Sequence, residues 1–498
     1  MTLQKFLTLI SLFLLNVAQG QVITVGDSGD FPTLSAAESS IAAGDTILLQ
    51  PQVFSNGSQF LNNLIGTATA PIVIMAEEEH QSIFRGGTEA IHLINCSYVE
   101  IKGIVVEQQT GNGINIDDGG DYNTPSKHIS IRNCIFRDMA ANGNNDLLKM
   151  SGVDSFLIEE CQFINGGGGG SGIDFVGCHW GTIQDCYFDD PGTSGIQNKG
   201  GTQFIRIQRN IFKNVRERAL NLGGSTGLQF FRPLLPDPIT NAFEAADLDV
   251  FSNVFIGSRA PIAYVGCVRV KVYNNTFYQP DNWVIRILQE TTTAGFLTCA
   301  DNEFRNNIVY LPNDLTEVNI GPNTAPETFS FSNNLWFNAS SNSWTPNLPV
   351  TDTDQIIDDP LFEDPDNEDF KINCTSPAAG AGIQLAEPVT DFNDNSFDNP
   401  PSIGAFECNQ LVSQFNLSDT EDEILLFPNP VSHELNIEGD FTAQSIEVLD
   451  QTGRVLIQSR QTTLPVRIKT SELTPGVYYL IVRKSSDRDI LVQRFVKE

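Results

Sequence analysis

Positive charge is scarce in this 498-residue chain: 29 Lys and Arg stand against 61 Asp and Glu, a formal net charge of −32. That balance repels nucleic acid and anionic lipid, so neither is expected as a partner. Long apolar runs are scarce as well. The first twenty residues, MTLQKFLTLISLFLLNVAQG, hold an early Lys5 and a mostly apolar run from Phe6 to Leu15. That run is short for a span of about 20 residues, and residues 1–20 read as a signal peptide cut before Gln21. No other stretch approaches membrane-spanning length, so no span is expected after signal removal. Cysteines are nine and mostly isolated, which argues against a dense disulfide framework in an exported chain. Cys374 and Cys408, flanking one loop-rich region, are the pair expected to join. Methionines number four against 40 glycines and 33 phenylalanines, a composition that leans towards short turns and stacked rings, hence β structure.

What the chain does have is a repeat. The segments ISIRNCIF (129–136), FLIEECQF (156–163), GTIQDCYF (181–188), IRIQRNIF (205–212), LDVFSNVF (248–255) and VKVYNNTF (270–277) each end in Cys or Asn, one intervening residue, then Phe. The Cys/Asn column runs Cys134, Cys161, Cys186, Asn210, Asn253, Asn275, Asn307 and Asn334, at steps of 27, 25, 24, 43, 22, 32 and 27 residues. A unit near 25 residues with short β-runs and Gly/Asn turns fits one coil of a parallel β-helix. Like residues then stack about 4.8 Å apart. The Phe column becomes an internal ring stack and the Asn column a ladder of amides, with the three cysteines filling ladder positions as small, inert groups. Right-handed crossovers are the expected hand.

AAGDTILLQPQVF and GTATAPIVIMA near the start, and DDPLFEDPDNEDFKI, SPAAGAG and SIGAFEC near residue 408, are similar to opening and closing segments of the pectate-lyase-like superfamily of secreted right-handed parallel β-helix proteins. The resemblance spans roughly 22–408 and implies architecture rather than a reaction, because that fold hosts lyases, hydrolases, epimerases and binding proteins. FPNP at 427–430, Gly453-Arg454-Val455 and LTPGVYYLIV at 473–482 look like the C-terminal sorting domain of the type IX secretion system, which addresses cargo of Bacteroidota across the outer membrane. The expected fold is therefore all-β: signal peptide 1–20, β-helix with its cap 21–408, linker 409–424, and a small β-sandwich 425–498. The type IX machinery is the partner implied by the last domain, and a secreted or cell-surface location follows.

A second strand recurs in each coil: GINID (113–117), LLKMS (147–151), GIDFV (172–176), GIQNK (195–199), ALNLG (219–223), PIAYV (261–265) and VIRIL (284–288). Period two separates an inward, nearly all-apolar set from an outward one. Asn198 is the inward exception and calls for an internal hydrogen-bond partner. The outward set holds Asn115, Asp117, Lys149, Ser151, Asp174, Val176, Gln197, Lys199, Asn221 and Arg286. His179 lies just beyond one such strand and Arg218 just before another. The 43-residue step places a long excursion, residues 223–247, beside this face, and long loops on rigid scaffolds commonly wall clefts. Its Phe230, Phe231 and Arg232 suit stacking on a sugar ring, or equally a hydrophobic plug. GGGGG at 166–170 lacks the strand and helix context of a phosphate cradle. DFNDNSFD at 391–398 has calcium-loop composition, though such acidic loops are often only solvated.

Eliminative cleavage of a uronate polymer needs neutralisation of the carboxylate, a base for the hydrogen alpha to it, and an acid for the departing oxygen. Lys149, His179, Lys199 and Arg218 are the candidate catalytic set. Asn115, Asp174, Gln197, Asn221, Phe231, Arg232 and Arg286 are candidate substrate contacts. Asp117, Asp146 and Asp174 are the candidate holders of a calcium ion. The pattern looks somewhat like the alginate and chondroitin lyases of this fold, with Asp146-Leu147-Leu148-Lys149 a shortened version of their acidic-apolar-apolar-x-Lys segment. Their basic pair lies one coil apart, whereas Lys149 and Lys199 lie two apart. The leading expectation is a lyase acting on an acidic polysaccharide. A non-catalytic glycan-binding protein is the alternative and a glycoside hydrolase the third reading, although Asp117 and Asp174, near 10 Å apart by strand spacing, fit the latter poorly.

Overall fold

A computed structural model describes residues 20–55, 57–341, 343–408, 424–439, 442–450, 454–484 and 490–498. Apart from Gly20 and Ile424, the signal-peptide and linker readings fall outside them. Contacts divide the chain into two units, Met1–Cys408 and Asn409–Glu498.

The first unit is a right-handed parallel β-helix whose described residues form three long parallel sheets of 15, 10 and 12 strands. One coil shows the plan. Ser171–Val176 lies in the ten-stranded sheet, called here the cleft sheet; His179–Gln184 lies in the second sheet and Tyr187–Asp189 in the third, before Ser194–Lys199 returns to the cleft sheet. Ile173 pairs with Ile196 and Val176 with Lys199, so the expected register of the cleft strands is the observed one. Corners are made by residues in the left-handed region, such as Gly177 at φ 60° between the first two sheets and Asp185 at φ 56° between the next two. Such a φ costs glycine nothing and Asn or Asp little.

Inside the coils, Phe136, Phe163, Phe188, Phe212, Phe255 and Phe277 stack with centroids 4.6–5.0 Å apart and planes within 15°. Each buried ring contributes roughly 2–3 kcal/mol by area. Beside them, each Asn Nδ2 of 210, 253, 275 and 307 donates to the Oδ1 of the next member at 3.0–3.1 Å. Asn334 closes the ladder on Asp352 Oδ2 at 3.0 Å. Cys134, Cys161 and Cys186 continue the column as buried free thiols, and the Cys186 amide joins it by donating to Asn210 Oδ1. Asn198 departs from expectation: it is fully buried and its side-chain amide has no partner among the described residues. The reason is its place on a strand between Phe175 and Leu222, which offer no polar atom. Residues 358–408 fold over the third sheet, tucking Phe370, Ala405 and Phe406 against Val254 and Tyr278, and Cys374 is joined to Cys408 with Cα atoms 5.1 Å apart.

The second unit has two antiparallel sheets. Leu425–Phe427, Glu434–Glu438 and Val466–Lys469 form one; Thr442–Leu449, Val455–Thr463, Gly476–Lys484 and Ile490–Lys497 form the other. They share a core of Val431, Leu435, Ile437, Val448, Leu480 and Phe495.

Candidate functional site

The outward residues of the cleft sheet form two straight columns. In one, His92, Asn115, Lys149, Asp174, Gln197 and Asn221 follow in register. In the other, Asp117, Ser151, Val176 and Lys199 do. Lys149 and Lys199, two coils apart, converge on the carboxylate between them. Lys149 Nζ donates to Asp174 Oδ2 and lies 3.8 Å from Asp146 Oδ2; Lys199 Nζ reaches the same Asp174 Oδ2 at 3.1 Å. Asp174 is fully buried and its Oδ1 has no partner among the described residues. Asp146, also buried, accepts the Ser171 amide at 2.8 Å. Burial and the neighbouring Asp174 push the Asp146 carboxyl up to about 6, against the pull of Lys149. Burial works to lower the Lys149 ammonium, but Asp174 and Asp146 outweigh it and raise it, so Lys149 stays charged at neutral pH.

Above the lysines lies a cleft of about 440 Å³ walled by Asp118, Tyr122, Lys149, Lys199, Phe230 and Arg232. Its roof is the 223–247 excursion, which leaves the sheet at Gly223, φ 120°, where a Cβ would meet the Val265 carbonyl at 1.8 Å. Two devices pin the roof. Arg232 pairs with Asp118 and donates to the carbonyls of Tyr122 and Asp121 at 2.8 and 3.0 Å, while Tyr122 Oη donates to the Gln229 carbonyl. Buried Glu244 accepts the Gly200 and Thr226 amides at 3.1 Å and the Thr226 and Thr291 hydroxyls.

Several candidates lie elsewhere. The corner at Gly177 turns the chain, so His179 opens a strand of the second sheet, where its ring nitrogens meet Asp154 Oδ1 at 2.8 Å and the Gly201 carbonyl at 3.2 Å. Phe231 is a plug: it is buried edge-on against Phe296, and Phe230 is the exposed ring of the loop. Arg232 lines the cleft but is engaged by its pairing with Asp118. Arg218 remains on the cleft sheet, held by Asn221 and Glu290 at 2.9 Å each. Arg286 lies on the same face, four strands beyond Asp174, stacked 4.5 Å over Trp283 and bonded to Asn319.

The three carboxylates suggested for calcium do not fit that ion. Asp117 accepts from His92 at 2.7 Å and from the Gly119 amide, and the space between Asp146 and Asp174 holds the Lys149 ammonium. Among the described residues no group of three or more His, Cys, Asp or Glu is arranged to hold a metal. In the 391–398 segment, Asp391 is taken up by the backbone amides of Asn393, Asn395 and Glu407.

His92 was not singled out from sequence. It lies between Glu89 at 3.1 Å and Asp117 at 2.7 Å. Burial works against its charge, but the bonds to Asp117 and Glu89 raise it to about 9. The alternation of IHLI at 91–94, extending the cleft-strand pattern back one coil, is the signal that would have found it.

Residues 74–232 match the family described as the right handed beta helix region, and residues 425–498 match the secretion system C-terminal sorting domain. The chain carries both. It is thus a secreted or cell-surface protein, its tail implying handling by type IX secretion. Among the described residues no helix is long and apolar enough to cross a membrane. Similar solved structures include the pectate lyase Pel9A, at 14% identity over 79% of this chain and 98% of that one, TM-score 0.47. The PL6 family polysaccharide lyase Pedsa3628 from Pseudopedobacter saltans is 15% identical over 75% of this chain and 97% of that one, TM-score 0.43. The GH136 lacto-N-biosidase from Eubacterium ramulus is 13% identical over 68% of each, TM-score 0.48. These likenesses carry no reaction to this chain. No curated protein matches it.

Proposed function

We propose that the cleft cleaves a uronate-containing polysaccharide by β-elimination. The observation that supports this most is the convergence of two lysine side chains on one buried carboxylate beneath a roofed cleft. Lys149, charged at neutral pH, is the group to neutralise the substrate carboxylate and so acidify the hydrogen alpha to it. Lys199 is assigned as the base, because Lys149 keeps its proton and Lys199 is the other amine lining the cleft. Its amine takes the alpha hydrogen as a proton, the electron pair forms the new carbon–carbon double bond, the bond to the departing oxygen breaks, and the ammonium returns the proton to that oxygen. Arg218 and Arg286, further along the same face, extend a path suited to an acidic polymer. Hydrolysis fits less well. It needs two carboxyl groups flanking the scissile bond, and Asp146 and Asp174 are buried beneath the lysines.

The full chain, incubated with alginate, chondroitin, pectate and ulvan, with and without a calcium chelator, should raise the ultraviolet absorbance of an unsaturated product on at least one polymer. Lys199→Ala should abolish that rise, and chelation should leave it unchanged. Absence of product on every polymer, together with polymer binding that Lys199→Ala does not alter, overturns the assignment.

A further inference from the structure

On the second sheet a column of residues sits one position past the register pairs Ser97–Lys127, Lys127–Asp154, Asp154–His179 and His179–Gln203. Its members are Tyr98, His128, Ser155, Trp180 and Phe204, and it continues through Asp247, Arg269 and Asp301. All eight have φ between 53° and 58°. At such left-handed positions Asn, Asp or Gly relieves the backbone, and the chain uses them freely elsewhere; a bulky ring there is the costly choice. Folding therefore does not explain Trp180 and Phe204.

Both rings face solvent, at 58% and 46% exposure, and Trp180 is the exposed one of four tryptophans. Their planes are nearly parallel, 11° apart with centroids 5.8 Å apart, so the two rings form an offset stack along the coil axis. Tyr98 and His128 form a second stacked pair in the same column, centroids 4.2 Å apart. The two pairs are separated by the Ser155 coil. Trp180 and Phe204 line one end of a cleft of about 660 Å³ whose other end is charged. There Arg269 grips Asp247 through two bonds of 2.7 Å, and Lys271 and Arg206 approach Asp249 at 3.5 and 3.7 Å. Asp301 and Glu303 complete that wall.

Four carboxylates beside three cations, mostly paired, nearly cancel. A polycation or polyanion gains little there, and a second copy of a chain carrying −32 is repelled. A stacked, half-exposed pair of rings lining a cleft gives an apolar wall for the C–H surface of a sugar ring, and paired carboxylates and guanidinium groups bond hydroxyls in forks. We infer that Trp180 and Phe204, with the Asp247–Arg269 pair, form a second, non-catalytic site for an uncharged glycan chain lying along the coil axis, on a different sheet from the lysine cleft.

The test uses the full chain with cellohexaose, laminarihexaose, mannohexaose and chitohexaose as probes, read by tryptophan fluorescence and calorimetry. At least one probe should bind and change the emission. Trp180→Ala and Phe204→Ala should each weaken that binding by about tenfold while leaving uronate cleavage and the circular dichroism spectrum unchanged. The proposal falls if no probe binds, or if both variants bind as the parent does. It falls equally if the substitutions turn a dimer into a monomer in sedimentation velocity, since a second copy would then be the occupant. Because the probes carry no uronate and the variants avoid Lys149 and Lys199, failure here is separate from failure of the lyase assignment.

Discussion

Replacing Asp174 by Asn removes the charge on which both lysines converge. Removing one partner of a buried ion pair costs about 3–5 kcal/mol. The Lys149 side chain keeps 20% exposure, so its ammonium recovers part of its hydration, and the loss belongs near the bottom of that range, about 3 kcal/mol. At about 2.1 cal/mol/K per residue of unfolding entropy, a β-helix of about 390 residues unfolding as one unit loses about 4 °C in Tm. A smaller cooperative block of coils makes the drop larger. The variant also removes the strongest attraction raising Lys149, so its ammonium should lose its proton at a lower pH and uronate cleavage should weaken. Thermal melts of Asp174→Asn, Lys199→Met and the double variant form a cycle, and a coupling above about 1 kcal/mol is expected for groups in direct contact. A Tm within 1 °C of the parent (roughly 0.8 kcal/mol by the same entropy) and zero coupling would refute the claim that this carboxylate holds the pair.

Two further outcomes follow from the same physics. His92 has a raised folded-state value of about 9 against 6.5, so the stability it contributes is fully present below pH 6.5 and is lost as pH rises through 9. Parent Tm should therefore fall over that window, and His92→Gln should flatten the fall in melts between pH 6 and 10. In the ladder, Asn253 accepts from the Asn210 amide and side chain and donates to Ile207, Phe251 and Asn275. Asn253→Leu should cost at least about 3 kcal/mol by stranding several buried groups. Cys186→Asn should be neutral or stabilising, since Asn210 Oδ1 already stands next to it to receive the new amide. Chemical denaturation of both variants checks the contrast.

The periodic part of this molecule was legible because stacking demands residue identity. A Phe column and an Asn column are one-dimensional patterns, and the same register that stacks Ile173 on Ile196 places Lys199 on the outward face. Lys149 and Lys199 could thus be assigned to one surface from spacing alone. What spacing could not supply is where the chain leaves the repeat. His179 is only three residues past Val176, yet the left-handed Gly177 sends it to another sheet. Arg232 and Asp118 meet because the excursion folds back over earlier coils, a path with no period, and that contact makes a candidate substrate residue a strut of the roof as well. Phe230 and Phe231 are adjacent in sequence, yet one is exposed and the other buried.

The same division indicates where function should be sought. Inward positions and corners answer to the coil, so a residue there that suits the coil carries no information beyond the fold. Lys199 stands where the preceding coil has Val176, and Trp180 and Phe204 stand at left-handed positions where neighbouring coils have Ser155 and Asp247. In each case the fold accepts a smaller or simpler residue one coil away. A side chain that the repeat does not require, and that is pinned or exposed at an expense to the backbone or to charge burial, is where substitution should be tried first. By that criterion the lysine cleft and the stacked aromatic pair are independent surfaces, and substitutions in one should leave the other's readout unmoved.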